Sequence, residues 1–234
     1  MRYRRILLKL SGESLAGPGG QGLDAHVLAA YAKEIKEVCN SGLQVAIVVG
    51  GGNIFRGLSG VGKGFDRIKG DQMGMLATTI NSIALGCALR SEGLEAEVFS
   101  ATPLEPMVRY WGREEASALL DQRKVVLISG GTGNPFFTTD TAAALRAVEL
   151  GASALLKGTR VDGVYSADPE KEPTAVKYSR LTFDEALEKN LKVMDMTAFT
   201  LCRENRMPVV VFDMNKKGNL LRLVRGEPVG TEVF

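Results

Sequence analysis

Apolar residues along the 234-residue chain fall into short continuous runs, separated by stretches with helical spacing. Ile6-Leu7-Leu8 and Val45-Ala46-Ile47-Val48-Val49 are uninterrupted, which predicts strands buried on both faces. Strands are expected at Arg5–Leu10, Gln44–Val49, Ala96–Ser100, 124–129, 154–157 and 209–212. Behind Asp24, a residue suited to capping a helix, Val27, Leu28, Tyr31, Ile35 and Val38 repeat close to the helical period. Further helices are expected over 71–90, 113–122, 140–150, 183–190 and 197–205. Strands alternating with helices predict an α/β fold, a three-layer αβα sandwich whose central sheet is mostly parallel. Residues 1–234 show no repeat, low-complexity tract or linker and read as a single domain; Pro169 and Pro173 bracket a surface excursion.

Composition narrows the function classes. The net charge is only +2, so basic charge is largely offset and nucleic acid is not an expected partner. No apolar run approaches the ~20 residues that span a bilayer. Lys9 interrupts the run that follows the basic start, so Met1 to Leu10 reads as a first strand and not as an export signal. Cys39, Cys87 and Cys202 are odd in number and far apart, which argues against a disulfide framework or a zinc site and for a cytoplasmic setting. The single histidine, His26, lies just inside the first helix and reads as a solvated surface residue. Mechanisms that need a histidine base or histidine metal ligands therefore have little to draw on.

Three glycine-rich segments each follow an expected strand: Lys9-Leu10-Ser11-Gly12, Gly50-Gly51-Gly52-Asn53 with Arg56 beyond it, and the run from Gly130 to Asp140. In open α/β sheets ligands gather beyond the carboxyl ends of the strands. Glycine lets backbone N–H groups approach phosphate oxygens closely. Any one loop alone reads as a tight turn; three at equivalent ends of one sheet, beside Lys9 and Arg56, read better as a shared phosphate site. Gly57-Leu58-Ser59-Gly60-Val61-Gly62-Lys63-Gly64 nearly spells a Walker A loop, but Gly64 replaces its Ser or Thr and no strand directly precedes it. Gly131-Thr132-Gly133 begins like a dinucleotide fingerprint, yet Phe136 occupies the third glycine position.

Lys9 is the sharpest single residue, because a lysine ending a core-seeking strand is costly unless it meets an anion or snorkels to solvent. Asp140 stands at an expected helix start, where it could cap the helix and also orient a nearby ammonium. Tyr165 offers an aromatic face to a base and Asp168 an acceptor for ribose or base, although ordinary packing and an ordinary turn explain them equally well. Asp71 and Asp195 are expected to cap helices.

Lys9-Leu10-Ser11-Gly12, Gly50-Gly51-Gly52-Asn53, Gly131-Thr132-Gly133-Asn134-Pro135-Phe136-Phe137-Thr138-Thr139-Asp140 and Val161-Asp162-Gly163-Val164-Tyr165 together resemble the bacterial uridylate kinases of the amino-acid-kinase fold. Gly70-Asp71-Gln72-Met73-Gly74-Met75 and Leu191-Lys192-Val193-Met194-Asp195-Met196 add to the resemblance, which covers nearly the whole chain in order. It implies ATP and UMP giving ADP and UDP in pyrimidine nucleotide biosynthesis, with Mg2+ carried by the ATP phosphates and no metal held by the protein, in a homohexamer. It also implies that Lys9, Leu10, Ser11, Gly12, Gly52 and Arg56 bind the ATP phosphates, and that Thr159, Tyr165 and Asp168 bind the adenosine. Gly51, Asp71 and Thr132, Gly133, Asn134, Pro135, Phe136, Phe137, Thr138 and Thr139 would bind UMP. Asp140 would orient Lys9, and Arg56 would join both in catalysis. Many members answer to GTP as activator and UTP as inhibitor. The glycine-rich segment 17–22, Arg90 and Glu97 depart from that pattern here, so control by GTP stays open. Two alternatives remain beside this reading: a kinase of the same fold acting on a carboxylate or carbamate, and a nucleotide-sensing module without turnover.

Overall fold

The computed structural model describes residues 2–55, 66–169 and 171–234. Among these residues nine strands form one sheet: β1 (Arg5–Leu10), β2 (Gln44–Val49), β3 (Ala96–Ser100), β4 (Arg109–Tyr110), β5 (Val125–Ser129), β6 (Ala154–Thr159), β7 (Arg180–Leu181), β8 (Val209–Asp213) and β9 (Thr231–Val233). Their order is β4-β3-β5-β2-β1-β6-β8-β9-β7. Among the described residues every pairing is parallel except that of β8 with β9. The helices are α1 (Ala25–Asn40), α2 (Arg67–Ser91), α3 (Arg113–Asp121), α4 (Thr139–Glu149), α5 (Phe183–Glu188), α6 (Met196–Glu204) and α7 (Asn219–Val224).

Strand parity divides the core into two layers. Successive side chains of a strand point to opposite faces. Ile6, Leu8 and Leu10 of β1 pack with Tyr31 and Ile35 of α1, Leu85 and Leu89 of α2, and Leu220 of α7. Leu7 packs on the other side with Ala143 and Ala147 of α4 and Phe199 of α6. Burying a large apolar side chain is worth roughly 1.5–3 kcal/mol, so this division sets the register of β1 firmly. Lys9, two residues after Leu7, must then share its side, under α4. In β6, Leu156 joins the first layer and Leu155 the second, which sends Lys157 the same way. The pairing of β1 with β6 sets Lys9 directly opposite Lys157.

Several boundaries differ from expectation. α2 starts at Arg67, because Asp66 accepts a hydrogen bond from the Lys69 N–H at 2.8 Å and caps it; Asp71 lies one turn inside and is not a cap. The cap of α4 is Thr138, which accepts from the N–H groups of Asp140 and Thr141, so the Asp140 carboxylate is released for other work. Asp24 and Asp195 cap α1 and α6 as expected. β4, β7, β9 and α7 carry too few residues to show a period. α2 is the one helix among the described residues long and apolar enough by length and composition to cross a membrane, with a mean hydropathy of 1.2 over an 18-residue window, although polar residues interrupt its apolar run. Here it packs instead against α1, β3 and β5.

Candidate active site

At the carboxyl end of β1 and β6 three charges meet. The Asp140 carboxylate lies 2.9 Å from Lys9 Nζ and 2.7 Å from Lys157 Nζ, and the three side chains are only 13%, 15% and 16% exposed for Lys9, Lys157 and Asp140. Lys157 Nζ also donates to the Val193 carbonyl at 2.7 Å. Burial opposes ionisation of Asp140, but the two ammonium groups outweigh it and hold the carboxyl below the usual carboxylate range. Burial likewise pushes the Lys157 ammonium below the usual lysine range, an effect that Asp140 offsets only in part. One carboxylate thus faces two ammonium groups. The triad carries a net positive charge at the carboxyl ends of the central strands, where β1 is flanked by β2 on one side and β6 on the other. That crossing of the connections is where open parallel sheets form their ligand crevice.

The cleft around Lys9 is lined further by Ser11, Lys157, Thr159, Asp168 and Asn215. It shares Lys157, Thr159 and Asp168 with an adjoining cavity of about 530 Å3, whose walls include Tyr165, Leu191 and Val193. The Tyr165 hydroxyl donates to Asp162 at 2.6 Å, and Lys177 pairs with the other Asp162 oxygen at 2.8 Å. These bonds fix the hydroxyl end of the ring at the cavity wall. A separate cavity is lined by Gly51, Gly52, Asp71, Phe137, Thr138 and Thr139. Thr139 lines this cavity, and its chain neighbour Asp140 holds Lys9, which lines the cleft.

Close backbone contact explains two of the glycines. A Cβ on Gly12 would lie 2.4 Å from the Gly50 carbonyl oxygen, and one on Gly51 would lie 2.8 Å from the Gly74 carbonyl oxygen. The first two glycine loops therefore pack backbone to backbone, and any larger residue would force them apart.

The structure brings together most of the residues singled out in the sequence. Asn134, Phe137, Thr138 and Thr139 face the cavity with Asp71. Thr132, Gly133, Pro135 and Phe136 belong to the same loop without lining that cavity; the Phe136 N–H donates to Asp71 at 2.8 Å. Gly52 lines the cavity of Gly51 and not the cleft of Lys9. The Leu10 side chain is buried in the core, which leaves only its backbone to face a ligand. Arg56 and the Walker-like segment 57–64 lie outside the described residues. His26 is exposed, in keeping with a solvated surface residue. Sequence reasoning missed Lys157. The signal was present: Ala-Leu-Leu-Lys in β6 repeats the arrangement of Ile-Leu-Leu-Lys in β1, and the argument that singled out Lys9 applies equally to it.

A fold of this topology with a lysine-lined cleft at the carboxyl ends of its strands defines a class. The model described as the amino acid kinase family matches residues 4–213, the span that carries all of the cleft's lining but Asn215. A protein named uridylate kinase from Parabacteroides distasonis is 57% identical over 232 residues, 99% of this chain and 98% of the relative. Another of that name from Bacteroides thetaiotaomicron is 56% identical over the same shares. Among solved structures, the UMP kinase from Bacillus anthracis superposes with a TM-score of 0.96 at 36% identity, covering 100% of this chain and 96% of that one. The UMP kinase from Ureaplasma parvum gives 0.93 at 37% identity, covering 100% and 99%. The chain belongs to the amino acid kinase family, in its uridylate kinase branch.

Proposed function

We propose that the protein transfers the γ-phosphoryl group of ATP to the phosphate of UMP, giving ADP and UDP. The observation that carries this reading is the Lys9–Asp140–Lys157 triad, whose lysines line one cavity and whose aspartate follows Thr139, which lines another. ATP lies along the Lys9 cleft, its phosphates against Ser11, Gly12 and Lys9 and its adenosine beside Thr159, Tyr165 and Asp168. UMP occupies the cavity of Gly51 and Asp71, under the loop that ends at Thr139. The UMP phosphate has a second pKa near ~6 by analogy with phosphorylated side chains, so it is largely ionised at neutral pH and needs no general base. Two polyanions must instead be brought together, and positioning with charge neutralisation is the main demand of phosphoryl transfer. Lys9 and Lys157 supply that charge from neighbouring strands, Asp140 holds both ammonium groups in place, and Arg56 adds a third cation. Attack is in line and direct, without a phosphoenzyme.

A magnesium ion fits this reading as a passenger on the nucleotide. Among the described residues no three His, Cys, Asp or Glu side chains gather to hold a metal, and Asp140 is already engaged by two lysines. Carried on the nucleotide, a magnesium ion would supply further neutralisation of the phosphate charge. The reading extends to a cytoplasmic enzyme of pyrimidine nucleotide biosynthesis acting as a homohexamer, with GTP and UTP as candidate effectors. Ile68, Leu76 and Ile80 leave an exposed apolar stripe on α2, which supports assembly with further copies.

The test is an ADP-release assay over UMP, CMP, glutamate, aspartate and carbamate, with and without GTP and UTP. Turnover with UMP above all others is expected. Turnover with a carboxylate or carbamate would replace this reading by another kinase of the same fold, and binding of both nucleotides without UDP would replace it by a sensing module. Asp71→Ala is expected to raise the KM for UMP by about 10-fold or more while that for ATP stays near the wild-type value, since losing a charged partner costs roughly 1.5–3 kcal/mol. Steady-state kinetics with each substrate varied in turn decides this; equal effects on both would remove Asp71 from the UMP site.

A further inference from the structure

The interior face of α2 contains a polar group that the reading above does not use. Asn81 is fully buried, and so is its neighbour Ser82; Asn53, at the end of the second glycine loop, is 4% exposed. A buried primary amide costs roughly 1–3 kcal/mol for each group left unsatisfied, so such a residue persists where its bonds are complete. Here they are. Asn81 Nδ2 donates to the Gly50 carbonyl at 2.6 Å and to Asn53 Oδ1 at 2.7 Å. Asn53 Nδ2 returns a bond to Asn81 Oδ1 at 3.1 Å and reaches the Gly22 carbonyl at 2.6 Å. The Gly22 N–H in turn donates to the Asn53 carbonyl at 3.0 Å.

Both carboxamides thus spend both N–H donors, and neither can flip without setting oxygen against oxygen. Gly12 is wedged against the same pair, since a Cβ there would lie 2.6 Å from Asn53 Oδ1. Three stretches of chain, at 12, 22 and 50–53, meet on these two side chains. The peptide that joins Gly50 to Gly51 is planar and trans, so its carbonyl and its N–H point in opposite directions. With the Gly50 carbonyl held towards Asn81 in the interior, the Gly51 N–H is turned the other way. Gly51 lines the cavity assigned to UMP, and among the described residues nothing accepts a hydrogen bond from its N–H.

We infer that Asn81 is a positioning residue for phosphoryl transfer: through the Gly50 carbonyl it aims the Gly51 N–H at the acceptor phosphate. This rests on the UMP kinase reading and deepens it. Misplacing a reacting group by about 1 Å costs on the order of 100-fold in rate, so loss of this anchor should be felt well beyond its effect on stability.

Asn81→Ala and the near-isosteric Asn81→Asp separate the possibilities, with Asn81→Ser as the replacement for either one that fails to fold. Each is assayed for UDP formation below its own melting midpoint. The expected result is a fall in kcat/KM for UMP of about 10- to 100-fold, with the KM for ATP much less affected. Asn81→Asp carries a second signature. As a carboxylate it has no donor for Gly50, whereas its protonated form has one, so its kcat relative to wild type should rise as pH is lowered. A merely structural asparagine would lower the melting midpoint and leave kcat and both KM values of the folded fraction unchanged; that result overturns the inference. Failure of the wild-type protein to form UDP in the same assay would instead reject the functional reading.

Discussion

Lys9→Ala is expected to lower kcat by about 100- to 1,000-fold, the size of effect seen when a single pre-set group that stabilises developing charge is removed from a site sheltered from water. The KM for UMP should change far less. Lys9 shares a cleft with Ser11 and Lys157 and does not line the Gly51 cavity, so its charge acts on the group in transit more than on the resting acceptor. Steady-state kinetics with saturating ATP measures this directly. An unchanged kcat would remove Lys9 from the mechanism and leave Lys157 as the cation to examine.

Asp140→Asn is expected to damage both stability and turnover. It keeps the shape of the side chain but leaves Lys9 and Lys157, 13% and 15% exposed, without their shared counter-charge. Breaking a buried ion pair on one side typically costs about 3–5 kcal/mol, and the partial exposure of all three groups places this case toward the lower end. The Lys157 ammonium, already pushed down by burial, loses the partner that sustains it, so kcat should fall by about 100-fold as well. pH gives an independent check. The Asp140 carboxyl is held below its ordinary range when folded. Its contribution to stability is therefore present at neutral pH and disappears as pH falls through that lowered value. Thermal melts should show a wide gap between wild type and Asp140→Asn near neutrality and a narrowing gap on acidification. A constant gap would mean that the carboxylate is not the stabilising partner.

Much of this arrangement was legible because two periods dominate the chain. Continuous apolar runs marked β1, β2, β3, β5, β6 and β8 with small errors at their ends, and the near-3.6 spacing behind Asp24 marked α1. Loop chemistry was equally open to reading, since glycine after a buried strand has few roles other than a tight turn or a close approach to a ligand. The caps were less legible. Asp66 and Thr138 start their helices in place of Asp71 and Asp140 because several residues near each start are able to cap, and only the chain's path selects one. Short edge strands such as β4 and β7 left no trace, as two residues cannot display an alternation.

The amino-acid sequence by itself determined the layered α/β fold, the positions of the three glycine loops and the prominence of Lys9, because burial and backbone sterics act locally and leave periodic marks. Only the tertiary structure decided that Lys157 faces Lys9 across two paired strands, that Asp140 lies between them, and that Asn81 holds Gly50 from behind. These pairings join residues far apart in the chain, and they depend on strand register and on how a helix sits over the sheet. No spacing along the sequence encodes a contact of that kind.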